Sequence, residues 1–174
     1  PFFARLMHGT VLARIGLDEI GDTNGLPLGL RVTYTEDKES ENASVMMRKY
    51  LDLLSKETAN DKKELLVVMI PESWQVEEVL EENLLEQYPK LLEIGFDNRK
   101  PNKDLGIMFD DLMIAYIDLT PLFKDVCDKD PVGVCGMYTR PHGHLSEKGH
   151  ELASKTAAEY ILENFLQDKQ VLTN

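Results

Sequence analysis

Long apolar stretches are scarce in these 174 residues. The longest, Leu65 to Ile70, is far below the roughly 20 residues a membrane-crossing helix needs. No charged-then-apolar signal sequence opens the chain, so no membrane span is expected. Basic side chains are also short: 19 Lys and Arg stand against 31 Asp and Glu, a formal charge of -12. With no local basic patch, that excess repels a phosphate backbone and an anionic bilayer surface, and no nucleic-acid partner is expected. Cysteine occurs only at 127 and 135. Their short separation permits a local disulfide in an oxidising compartment, and two unpaired thiols are the equal alternative. Internal repeats and low-complexity segments are absent. The apolar fraction of 43% and charged fraction of 29% give no reason to expect collagen, a coiled coil or wholesale disorder. A single domain over 1–174 with one core is the expectation.

What is present alternates in character. Phe2, Leu6, Val11 and Ile15 fall near helical spacing and predict a short amphipathic helix ending around Gly16. Asp18 to Glu41 reads as a long surface excursion rich in Gly, Asp, Thr and Glu, with one extended candidate at Leu30-Arg31-Val32-Thr33-Tyr34. Asn42 to Ala59 places Met46, Tyr50, Leu51 and Leu54 on one expected helical face. Leu65 to Ile70, halted by Pro71, predicts a strand of a parallel sheet covered on both faces. Val76 to Leu92 is expected to be helical with a break near Pro89, and Lys103 to Leu112 to form another helix. Met113 to Leu119 predicts a second strand, with Thr120 expected to cap a helix whose first turn holds Pro121. The last helix is expected from Ser146, its N-cap, to about Leu166. Its apolar face would be Leu152, Ala153, Thr156, Ala157, Tyr160, Ile161 and Phe165. Such an order is the grammar of an α/β sheet layered by helices, with ligands at the carboxyl ends of the strands.

Three of the four histidines, His142, His144 and His150, cluster at the start of that last helix. Histidine titrates near neutral pH, so one on a loop before a helix is a candidate general base reaching into a strand-end crevice. His142-x-His144 with His150 can alternatively supply three protein ligands to zinc. Ordinary surface or capping histidines are the bland alternative. Trp74, just past a strand end, is a pocket-lining candidate, although a lone Trp more often packs. The acidic stretch Glu77 to Glu86 is most simply a solvated helix face. Asn42-Ala43-Ser44 satisfies a glycosylation sequon, a pattern common by chance.

His144-Leu145-Ser146-Glu147-Lys148-Gly149-His150 followed by Leu152-Ala153 resembles the last block of SGNH/GDSL-type hydrolases. Leu66-Val67-Val68-Met69-Ile70-Pro71 resembles a later core strand and proline turn of one group of that family. Ile117-Asp118-Leu119-Thr120-Pro121 resembles its next strand end, and Ala4-Arg5-Leu6 through Leu12 the helix after its asparagine block. The resemblance implies a three-layer α/β/α flavodoxin-like fold with a mostly parallel sheet, of which this chain is the C-terminal portion. It also implies acyl transfer: a serine attacks an ester carbonyl, a histidine moves its proton, an acid orients the histidine, and amide donors form an oxyanion hole. His144 would be the base and His150 a structural member of the final helix.

The chain departs from the pattern in two places. Pro141 and His142 stand where the family places its acid, which leaves His142 as a neighbour that tunes or replaces it. No Gly-Asp-Ser, glycine or asparagine block is evident. Gly21-Asp22-Thr23-Asn24-Gly25 has no apolar strand before it and reads as a turn, so the missing blocks are expected N-terminal to Pro1. The expected function is hydrolysis or transfer of a small acyl ester, with acetyl on a carbohydrate carried by family habit and no cofactor required. An SGNH-like domain that binds a carbohydrate or protein without chemistry is the alternative, and a histidine metal site a further one. An extracellular or periplasmic location is favoured by a small margin.

Overall fold

The computed structural model describes residues 26–130, 135–139 and 143–166. Over these the protein is mixed α/β, mostly helical, with a small parallel pair of strands. The expected helix at residues 2–16 lies outside the described residues. The elements are α1 (Leu28–Tyr34), α2 (Lys38–Asn60), β1 (Leu66–Met69), a 3-10 turn (Ser73–Gln75), α3 (Glu78–Gln87), α4 (Lys90–Glu93) and α5 (Lys100–Asp111). They continue as β2 (Ala115–Asp118), α6 (Thr120–Asp128), β3 (Tyr138–Thr139), β4 (His144–Leu145), α7 (Glu147–Ile161) and a π turn (Leu162–Leu166). The described residues fall into two compact units, one of 26–57 with 84–114, the other of 58–83 with the described residues from 115 to 166.

In the first unit α1 packs on α5, and the buried residues are Leu26, Tyr34, Leu51, Leu91, Leu105, Phe109 and Ile114. Tyr34 meets Phe96 with ring centroids 4.9 Å apart. Three expectations fail here. The extended candidate at 30–34 is helical: the Arg31 amide donates to the Pro27 carbonyl, and the Thr35 hydroxyl donates to the Arg31 carbonyl at 2.8 Å. These local bonds close the first and last turns and outweigh the strand preference of Val32, Thr33 and Tyr34. Helix α2 also begins four residues before Asn42, because Asp37 Oδ1 accepts the amides of Glu39 and Ser40 at 3.1 and 2.9 Å, the action of an N-cap. Those amide bonds, Ser40 first, hold the Asp37 carboxyl below its ordinary value. The expected apolar face of α2 is split: Leu51 is 1% exposed, whereas Met46 and Tyr50 are 45% and 59% exposed.

In the second unit β1 and β2 pair in parallel, Leu66 opposite Ala115 through Met69 opposite Asp118. The Leu119 amide extends the ladder by donating to the Met69 carbonyl at 3.1 Å. Only Met69 of β1 is fully buried, the other three residues being half-buried, so the strand is less covered than its apolar run predicts. Val76, Leu119, Phe123, Cys127, Cys135 and Met137 form the core cluster. Leu152 and Ala153 of α7 pack on it, and every residue of the expected α7 face is at least partly buried. The start of α6 differs from expectation. Thr120 is its first residue and fully buried; Asp118 Oδ1 instead accepts the Thr120 amide at 2.9 Å. Glu77, expected on a solvated face, is 3% exposed. It belongs to the turn that leads from buried Gln75 and Val76 into α3, where the backbone carries it inward. No helix among the described residues is long and apolar enough to cross a membrane.

Candidate active site

Strands β3 and β4 form a short antiparallel ribbon, Tyr138 opposite Leu145 and Thr139 opposite His144. His144 therefore sits on a ribbon strand immediately before α7, with its side chain exposed. Gly143 precedes it with φ of 61°, a conformation costly for a residue bearing Cβ. The Gly143 amide donates to the Thr139 carbonyl at 3.0 Å, and the Thr139 hydroxyl donates to the His144 carbonyl at 3.1 Å. Backbone bonds thus define where the imidazole starts. Pro141 and His142 lie outside the described residues.

The ribbon is anchored at both ends. The Tyr138 hydroxyl donates to the Pro71 carbonyl at 2.6 Å, just past the carboxyl end of β1. Burial, and then the carboxylates of Glu72 and Glu77, push the Tyr138 phenol well above its ordinary value, so it remains a protonated donor. Burial likewise raises the Glu72 carboxyl. The Glu72 amide donates to Gln75 Oε1 at 2.8 Å, which fixes the turn that presents the Pro71 carbonyl.

At the other end Ser146 is the N-cap of α7, as its sequence position predicts. Its Oγ accepts the Gly149 amide at 3.1 Å and donates to the Gly136 carbonyl at 2.5 Å. Its own amide donates to the Met137 carbonyl at 2.9 Å. Gly149 is buried against that same carbonyl: a Cβ built on it would lie 2.3 Å from Met137 O and 3.1 Å from Leu145 Cδ2. The serine and glycine of the Leu-Ser-x-x-Gly segment therefore have structural duties, and the His144 side chain is exposed on the ribbon beside them.

Cys127 and Cys135 are joined in a disulfide, which decides between the two states left open by their spacing. Glu77 Oε1 lies 3.7 Å from Cys135 Sγ; a disulfide sulfur carries no proton, so this is a contact and not a hydrogen bond. A hollow of about 300 Å³ beside the bridge is lined by Val76, Glu77, Glu78, Cys127, Asp128 and Asp130. It contains no residue of the ribbon. Among the described residues no three His, Cys, Asp or Glu side chains are grouped to hold a metal ion. His150 follows on α7, exposed. No protein-family model, curated protein or solved structure matches the chain.

Proposed function

We propose that the chain is the C-terminal portion of an SGNH-type ester hydrolase with the three-layer α/β/α flavodoxin-like fold, and that His144 is its general base. The observation that carries this reading is the Tyr138 bond to the Pro71 carbonyl, which ties the ribbon bearing an exposed His144 to the carboxyl end of β1. That end of a parallel sheet is where α/β proteins place ligands. The parallel β1–β2 pair, the capped α7 and the glycine packed under the ribbon agree with the segments of the resemblance, in order. In this reading the His144 imidazole accepts the proton of a serine hydroxyl as its oxygen bonds to the ester carbonyl carbon. It then returns that proton to the leaving alcohol. The substrate is a small acyl ester, with acetyl on a carbohydrate the first candidate, and His142, close by in sequence, is the candidate that tunes or replaces the acid. Turnover of p-nitrophenyl acetate by the full-length protein, lost on His144→Ala, tests it.

The second reading keeps the fold without the chemistry and has the domain bind a carbohydrate or a protein. Pro141 and His142 in place of an acid favour it. Absence of turnover together with saturable binding of an acetylated oligosaccharide would select it over the enzyme.

A further inference from the structure

Residues 135–137 are tied to the start of α7 by a row of hydrogen bonds. Three successive carbonyls accept from the first turn of α7: Cys135 from Lys148 Nζ at 2.9 Å, Gly136 from Ser146 Oγ at 2.5 Å, and Met137 from the Ser146 amide at 2.9 Å. Gly149 seats directly on the last of them. Residues 135–137 and the start of α7 are thus stitched into one body, and the His144 ribbon is the hairpin that body holds. At its base is Cys135, bonded to Cys127 in the last turn of α6. Both cysteines belong to the buried cluster with Val76, Leu119, Phe123 and Met137.

We propose that Cys127 and Cys135 are positioning residues for His144. The closed bridge fixes the base of the ribbon to α6, whose own place is set by the Leu119 amide on β1 and by buried Phe123. Opening it releases residues 135–139 and 143–149 while β1 and β2 stay paired. The bridge closes a short loop, so its entropic effect on the unfolded chain is modest; its location is what gives it influence over one histidine. The functional meaning rests on the reading of His144 as a base, whereas the mechanical claim does not. Opening requires a dithiol reductant. One reductant sulfur bonds to a cysteine Sγ as the Sγ–Sγ bond breaks, and its second sulfur then displaces that cysteine. The reductant leaves as a disulfide, and its two protons end on the Cys127 and Cys135 thiols.

The test compares the full chain oxidised, reduced with dithiothreitol, and as the Cys127→Ser, Cys135→Ser double variant, by amide hydrogen exchange under native conditions. Amides of Gly143, Ser146 and Gly149 are expected to lose protection by about tenfold or more on opening, while the Leu119 amide changes by less than about threefold. The His144 imidazole resonances are expected to shift between states. An equal loss at Leu119, or no loss at the three ribbon amides, overturns the proposal. If the double variant does not fold, the wild-type reductant titration gives the same readout. Ester turnover by the full-length protein, measured alongside, separates the two readings. A ribbon loosened on reduction with no turnover in either state upholds the positioning role and sinks the esterase, whereas turnover lost on reduction without loosening overturns the positioning role.

Discussion

Gly149 and the Met137 carbonyl approach so closely that a Cβ on Gly149 would lie 2.3 Å from that oxygen. Glycine in a helix normally costs about 1 kcal/mol relative to alanine, yet here alanine has no room. The obstructing atom is backbone, already engaged by the Ser146 amide, and it cannot rotate away as a flexible side chain would. Gly149→Ala is therefore expected to destabilise the protein by about 1–3 kcal/mol despite its better helix propensity. Urea unfolding at constant slope measures it; an unchanged or raised midpoint would contradict the close packing.

Ser146 makes two side-chain bonds, accepting from Gly149 and donating to the Gly136 carbonyl. Ser146→Ala removes both, and the expected loss is about 1–2 kcal/mol. Ser146→Thr, which keeps the hydroxyl, should retain most of the stability. Equal losses in the two variants would show that the hydroxyl is not what matters.

Tyr138→Phe deletes the donor to the Pro71 carbonyl and keeps the edge-to-face contact with Phe123, whose ring centroid is 6.2 Å away. A loss of about 0.5–1.5 kcal/mol is expected. Exchange at the Gly143 and Ser146 amides should rise more than at Leu119, since the tie lost is the ribbon's.

Burial raises the Glu72 carboxyl above 4.5, so the folded protein binds its proton more tightly than the unfolded chain does. The stability linked to that proton is fully present below pH 4.5 and is lost as pH rises through the higher folded value. Glu72→Gln should remove this decline. The difference in stability between variant and wild type is expected to move in favour of the variant across that window, read from unfolding curves at a series of pH values. A pH-independent difference would show that Glu72 does not titrate differently in the two states.

Much of the second unit is legible in the sequence because its signals are local and strong. The apolar run at 65–70 and the segment around Ile117 give β1 and β2, and Ser146 with the spaced apolar residues after it gives α7. What was not legible depends on partners distant in sequence or on single bonds. The Leu30–Tyr34 segment carries strand-prone side chains, but one hydroxyl bond to the Arg31 carbonyl ends a helical turn there. Glu77 sits in an acidic run and yet is buried, a fate set by the chain path after β1. Met46 and Tyr50 share an apolar pattern with Leu51, but side-chain type cannot say which residues turn inward. At the site, His144, Ser146 and Gly149 stand out by their pattern. Tyr138 does not, because its role comes from contact with Pro71; the cysteine spacing offered the bridge as one of two alternatives, but not its place at the end of α6.

The most direct test of the account is ester turnover by the full-length protein, with and without His144→Ala. Circular dichroism and the unfolding midpoint of the variant, measured beside wild type, separate loss of the base from loss of the fold. The account predicts p-nitrophenyl acetate hydrolysis whose kcat/KM falls about 100-fold or more in the variant. Equal turnover in the two proteins, or none in either, would contradict it.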